Sequence, residues 1–199
     1  MAGGRGRAAA LASLAVLCVP FVTFAMIVTH EAGHTVVARL SGDPRAYFLL
    51  SGPDCTGCNV YDSRLLTPWG NVAVSVGGVA FTMLLTVAAV AVLGWGRRPR
   101  WVPRWLLLEV ILICFGGDLV WQFVQAIQQL PVPEREPLGH VLGYTDFSAA
   151  TSFGSQATGW SHDAVAAAGF GAAALYTIAL ALALRRAWRR SARAAPSPA

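Results

Sequence analysis

The sequence predicts an all-α integral membrane protein of about four transmembrane helices, with a short β-hairpin after the first. Three observations carry this. Of 199 residues, 55% are hydrophobic and only 13% are charged, against about 25% charged in a typical soluble domain. Four apolar runs reach the length of about 20 residues that a bilayer crossing needs. The charged residues gather between those runs. A single membrane domain over 1–193 is expected, followed by a disordered tail at 194–199.

The first span is expected from about Ala8 to Leu40. Arg5 and Arg7 followed by Ala8 to Ala25 could pass for a signal peptide. The apolar run continues past Ala25, however, so one long helix is the better reading. The second span runs from about Asn71 to Leu93, the third from about Trp105 to Leu130 and the fourth from about Ala164 to Leu184. Between the first two, Ala46-Tyr47-Phe48-Leu49-Leu50 has the aromatic and apolar content of a short strand. Asn59-Val60-Tyr61 can pair with it across the Gly52-to-Gly57 region.

All 15 basic residues are arginine. They cluster before span one, between spans two and three (Arg97, Arg98, Arg100, Arg104) and after span four (Arg185, Arg186, Arg189, Arg190, Arg193). The other two loops hold Asp43, Asp54, Asp62, Glu134, Glu136, Asp146 and Asp163. By the positive-inside rule both termini face the cytoplasm, as expected in a bacterial plasma membrane. The arginines flank spans and form no separate basic domain, which argues against nucleic-acid binding. The lipid bilayer is the implied environment.

Span one ends in His30-Glu31-Ala32-Gly33-His34. Residues four apart share one helix face, so both imidazoles can reach one ion. Glu31 lies about 100° round the helix, close enough to reach a water held there. This is the H-E-x-x-H arrangement, two zinc ligands and a general base. One Zn²⁺ per chain is expected. It would activate water, and Glu31 would carry the proton from that water to the leaving amine. Ala32 and Gly33 are small enough to let another helix approach. Ionisable residues inside an apolar helix are costly, about 2.5–3.5 kcal/mol for a charge near the centre, which favours function over filler.

A catalytic zinc needs a third protein ligand. Asp118, in Phe115-Gly116-Gly117-Asp118-Leu119, is the expected one, being the acid deep in span three. Counting residues from the helix starts leaves Asp118 and His30 about 9 Å apart in depth. Glu109 is expected to snorkel to the interface. Asp146, His140 and His162, in the last loop, are the fallback ligands.

A membrane helix ending in this zinc motif, with a deep Asp two spans later, resembles the site-2 protease family of intramembrane zinc metalloproteases. Ser41 to Leu50 resembles the strand-forming segment after that family's zinc helix. Val76-Gly77-Gly78-Val79-Ala80-Phe81 resembles its Ala-Gly-Pro-Leu-x-Asn stretch without the Pro and Asn. Gly116-Gly117-Asp118 resembles its Asp-Gly ligand motif with the glycine moved in front. The likeness covers about Ala25 to Gln125. It implies a zinc metalloendopeptidase that cuts a membrane-anchored protein in or near its transmembrane segment. The alternative is a non-catalytic membrane protein that uses the same ligands for metal sensing, transport or structure.

A protease must unwind its substrate, and a sheet edge can hold the extended product of unwinding. Phe48 and Leu49 are therefore expected to present substrate. Asn71, at the start of span two, would cap its helix or bond substrate. Cys55 and Cys58 would form a disulfide in an oxidising compartment. Cys18 and Cys114 would simply pack.

Overall fold

A computed structural model of the chain describes residues 2–51, 57–95, 102–128 and 146–193. Calls on Cys55, His140, Glu134, Glu136 and the 194–199 tail lie outside the described residues. The protein is almost wholly helical, with four helices long and apolar enough to cross a membrane and a two-stranded hairpin after the first.

Helix α1 (Ala2–Ser41) runs through Pro20 without a break. Its 40 residues extend about 60 Å, twice the hydrocarbon thickness. The hairpin follows. Strands β1 (Tyr47–Leu49) and β2 (Cys58–Val60) pair antiparallel, with Phe48 opposite Asn59. Buried Asp43 ties the two flanks together by accepting from the Arg45 and Asp62 backbone N–H groups at 3.0 and 2.8 Å. Arg39 Nε donates to the Ala46 carbonyl at 2.8 Å, and Asn59 Nδ2 to Thr35 Oγ1 at 2.6 Å. These bonds fold the hairpin back on the end of α1. Cys58 is disulfide-bonded.

Helix α2 (Pro68–Gly94) starts at Thr67, whose hydroxyl accepts from the Gly70 N–H at 3.1 Å, with Pro68 at the first helical position. The cap is thus Thr67, and Asn71 lies within the first turn. Helix α3 (Arg104–Cys114) passes through a π-helical turn, Phe115–Val120, into α4 (Trp121–Gln128). Then come α5 (Asp146–Thr158) and α6 (His162–Arg193).

Contacts fix the directions. Gly33 meets the Gly77 carbonyl and Val37 also lies against Gly77, while His30 packs on Gly78, so α1 and α2 run antiparallel. The absence of side chains at Gly33 and Gly77 is what lets the two backbones approach this closely. Ala89, Val90 and Leu93 of α2 pack with Leu107 and Ile111 of α3 and with Leu180 and Ala187 of α6. Tyr176 donates to the Met83 carbonyl at 3.1 Å and Ala187 lies against Gly94, so α6 runs parallel to α2. Arg104 donates to the Ser191 carbonyl at 2.6 Å, closing the arginine-rich end.

Helix α5 is not a span. It packs against α2 and antiparallel to the first half of α6, with Gly154 against Val165 and Phe147 against Gly169. Phe147 lies beside Phe123 and Phe170, ring centroids 5.3 and 5.0 Å away. Phe170 is eight residues into α6, so Asp146 starts its helix about 12 Å inside the bundle from the beginning of α6. A helix end at that depth is tolerable where protein surrounds it.

Candidate metal centre

Three ligand atoms converge where α1, α4 and α5 meet. His30 Nε2 lies 3.0 Å from His34 Nε2. Asp146 Oδ2 lies 2.9 Å from His30 Nε2 and 3.3 Å from His34 Nε2. A tetrahedral ion with bonds of about 2.0–2.1 Å has ligand-to-ligand edges of about 3.3 Å. The observed triangle is close to one face of such a tetrahedron.

The other ring nitrogens explain why the Nε2 atoms point inward. His34 Nδ1 is 2.6 Å from the Val74 carbonyl, which can only accept, so Nδ1 carries the proton. His30 Nδ1 is 2.8 Å from Asp118 Oδ2. Asp118 is buried and also accepts from the Thr82 hydroxyl. With both Nδ1 protons engaged, the Nε2 lone pairs face one another and the Asp146 carboxylate. Three acceptors at these distances repel unless a cation, a metal ion or a proton, lies among them. A carboxylate behind a ligating imidazole is the arrangement that fixes tautomer and raises basicity in zinc sites.

Gly78 supplies the room. A methyl there would overlap His34 Nε2 and would stand 2.6 Å from His30 Nε2. Glu31 is buried beside the triangle, and a methyl at Gly57, next to β2, would stand 2.7 Å from its Oε1. The hairpin therefore reaches the carboxylate of the zinc motif. The side chain of Asp146 is 24% exposed, against 6% for His34, so Asp146 is the most exposed member of the triangle. Burial and the Asp146 carboxylate push the Tyr61 phenol up, its hydrogen bond to Ser75 opposing them.

Of the residues singled out in the sequence, His30, Glu31, His34 and Asp118 are thus brought together. Asp118, expected as third ligand, meets His30 at Nδ1, while the fallback Asp146 meets both Nε2 atoms. Asp118 lies in the π-helical turn that carries Gly116 and Gly117. The 9 Å depth mismatch is absent, because α1 extends beyond a bilayer's thickness and counting from its start overstates depth. His162 stands outside the triangle at the start of α6. Glu109 does not snorkel: both its carboxyl oxygens are buried, with no hydrogen-bond partner among the described residues. Phe48 and Leu49 lie in β1. Asn71 is buried, its Nδ2 donating to the Ser63 carbonyl at 3.0 Å.

Sequence reasoning missed Thr82 and Gln122. Thr82 is fully buried in α2. Gln122 Nε2 donates to Asp146 Oδ2 at 3.0 Å. The sequence held no clear signal for either, since the π-helical turn interrupts the four-residue spacing between Asp118 and Gln122. No family model, no curated protein and no solved structure matches this chain.

Proposed function

We propose that this protein is a membrane-embedded zinc metalloprotease, similar to the site-2 proteases, that cleaves a membrane-anchored protein in or near its transmembrane segment. The observation that carries the reading is the convergence of His30 Nε2, His34 Nε2 and Asp146 Oδ2, with both Nδ1 atoms engaged from behind. In it, His30, His34 and Asp146 hold one Zn²⁺, and Asp118 orients His30. Three protein ligands leave a position open, as catalytic zinc sites require.

When bound, zinc supplies Lewis acidity, which polarises a peptide carbonyl and makes water a better nucleophile near neutral pH. Glu31 takes the proton of the attacking water and delivers it to the departing amine nitrogen. The buried setting strengthens each of these electrostatic interactions. The hairpin beside Glu31 offers backbone groups to an unwound, extended substrate. The arginine distribution supports cytoplasmic termini.

The test is zinc content and proteolysis in purified protein. Wild type should carry about one zinc per chain. Glu31→Gln should keep the zinc and lose cleavage of a reconstituted single-span substrate. Zinc retained unchanged in His30→Ala and His34→Ala would overturn the metal site. Cleavage unchanged in Glu31→Gln would overturn the enzyme and favour a non-catalytic metal-binding membrane protein.

A further inference from the structure

Among the described residues, Gln122 meets Asp146 with one end of its amide and no partner with the other. Its Nε2 donates to Asp146 Oδ2 at 3.0 Å, while its Oε1 is buried and has no hydrogen-bond partner there. The amide orientation follows from its neighbour, because a flipped amide would set oxygen against the carboxylate. Buried amide oxygens without partners also occur at Asn59 and Asn71, but those side chains bond to Thr35 and Ser63. Among the described residues, Gln122 is the one such amide bonded to the ligand triangle. A buried acceptor left unsatisfied is costly, so an arriving donor recovers more here than at an exposed site.

The donor must suit its place. Gln122 bonds to Asp146, the most exposed member of the triangle. Extended peptides carry backbone N–H groups that have lost their helical partners. A neutral amide oxygen takes such a donor without adding charge beside Asp146. We propose that Gln122 is a substrate-positioning residue. Its Nε2 steadies Asp146, and its Oε1 accepts a backbone N–H of the extended peptide next to the bond to be cut. The proposal rests on the protease reading and specifies how that site would hold its substrate.

The test separates the two. Three probes are titrated against zinc-loaded, detergent-solubilised protein: acetohydroxamate, acetyl-Leu-Leu-Gly hydroxamate, and forms of the latter N-methylated at each peptide nitrogen in turn. In wild type, methylation at one nitrogen should weaken binding by about five- to tenfold, the worth of one hydrogen bond. In Gln122→Met, and in the shorter Gln122→Asn, the parent peptide should bind correspondingly more weakly, and that methylation should have no further effect. This is the coupling expected of two groups that bond each other. Methylation effects equal in wild type and variants, or absent from wild type, overturn the role of Gln122 while leaving the metal site standing. Failure of wild type to bind acetohydroxamate overturns the metal site and this proposal with it.

Discussion

Gly78→Ala tests the metal centre through a residue that is not a ligand. The added methyl would stand 2.6 Å from His30 Nε2 and 2.7 Å from His30 Cδ2, and closer still to His34 Nε2. Ordinary contacts of carbon begin near 3.5 Å, so roughly 1 Å of movement is needed. Helix α2 withdraws only by opening the crossing at Gly33 and Gly77. The imidazoles withdraw only by leaving Asp118 or the Val74 carbonyl. A hydrogen bond involving a charged group is worth about 1.5–3 kcal/mol, equivalent to about 10- to 150-fold in zinc affinity. The helix itself gains about 0.5–1 kcal/mol from Gly→Ala, so any loss appears against a favourable background. Gly171→Ala is the control, since nothing lies within 4 Å of a methyl there. The assay is competition for zinc against a chromophoric chelator. Gly78→Ala should lose at least about tenfold in affinity, and Gly171→Ala should match wild type. Wild-type affinity in Gly78→Ala would refute the convergence of the two imidazoles on the face of α2.

Four further outcomes follow. Asp118→Asn should weaken zinc binding by about 10- to 100-fold, as loss of a group behind a ligand does, and Asp146→Ala should weaken it more; the reverse order, read in the same competition assay, would exchange their roles. Thr82→Val should shift zinc affinity in the direction of Asp118→Asn but by less, since it removes one donor to Asp118 and leaves the carboxylate; no shift would detach Thr82 from the site. Phe147→Ala should lower zinc affinity by about tenfold with helical circular dichroism preserved, because Phe147 holds the start of α5 between Phe123 and Phe170; unchanged zinc affinity would free Asp146 from that anchor. Phe48→Pro should reduce proteolysis and spare zinc content, since proline removes a backbone donor from β1; full activity would take the hairpin out of substrate handling.

The spans were legible because a bilayer crossing requires a long apolar run, and nothing else in a short chain produces one. The hairpin was legible from Tyr47 to Leu50 and came within one residue of its observed strands. His30, Glu31 and His34 were legible because their relation is local, set by one helix turn. Asp146 was not, for two reasons. Its helix, Asp146–Thr158, contains Ser148, Thr151, Ser152 and Ser155, so it carries no apolar run to mark it as an inserted element. Its partners His30 and His34 are more than a hundred residues away, and only the packing of α5 on α2 and α6 brings them together. Asp118 fell between these cases. Its place deep in span three was readable, but counting from the helix starts set it at a different depth from His30, and whether it touches Nε2 or Nδ1 depends on tertiary packing around the π-helical turn.

The two imidazoles belong to one helix and are held by α2 through Val74 and by the π-helical turn through Asp118, neither of which belongs to α5. The Asp146 carboxylate arrives on a short helix that sits between α2, α4 and α6, fastened by an aromatic trio and a hydrogen bond from the Gln122 side-chain amide. Without Asp146 the remaining pair offers two nitrogens, one ligand fewer than catalytic zinc sites use. With Asp146 the proposed set would have three ligands, and Asp146 is its most exposed member. In the proposed site, docking of α5 and completion of the ligand set would therefore be one event. The contacts that hold α5 include its packing on α2, the Phe123, Phe147 and Phe170 rings and the close approaches at Gly154 and Gly169, and none of these rings or glycines would touch the ion.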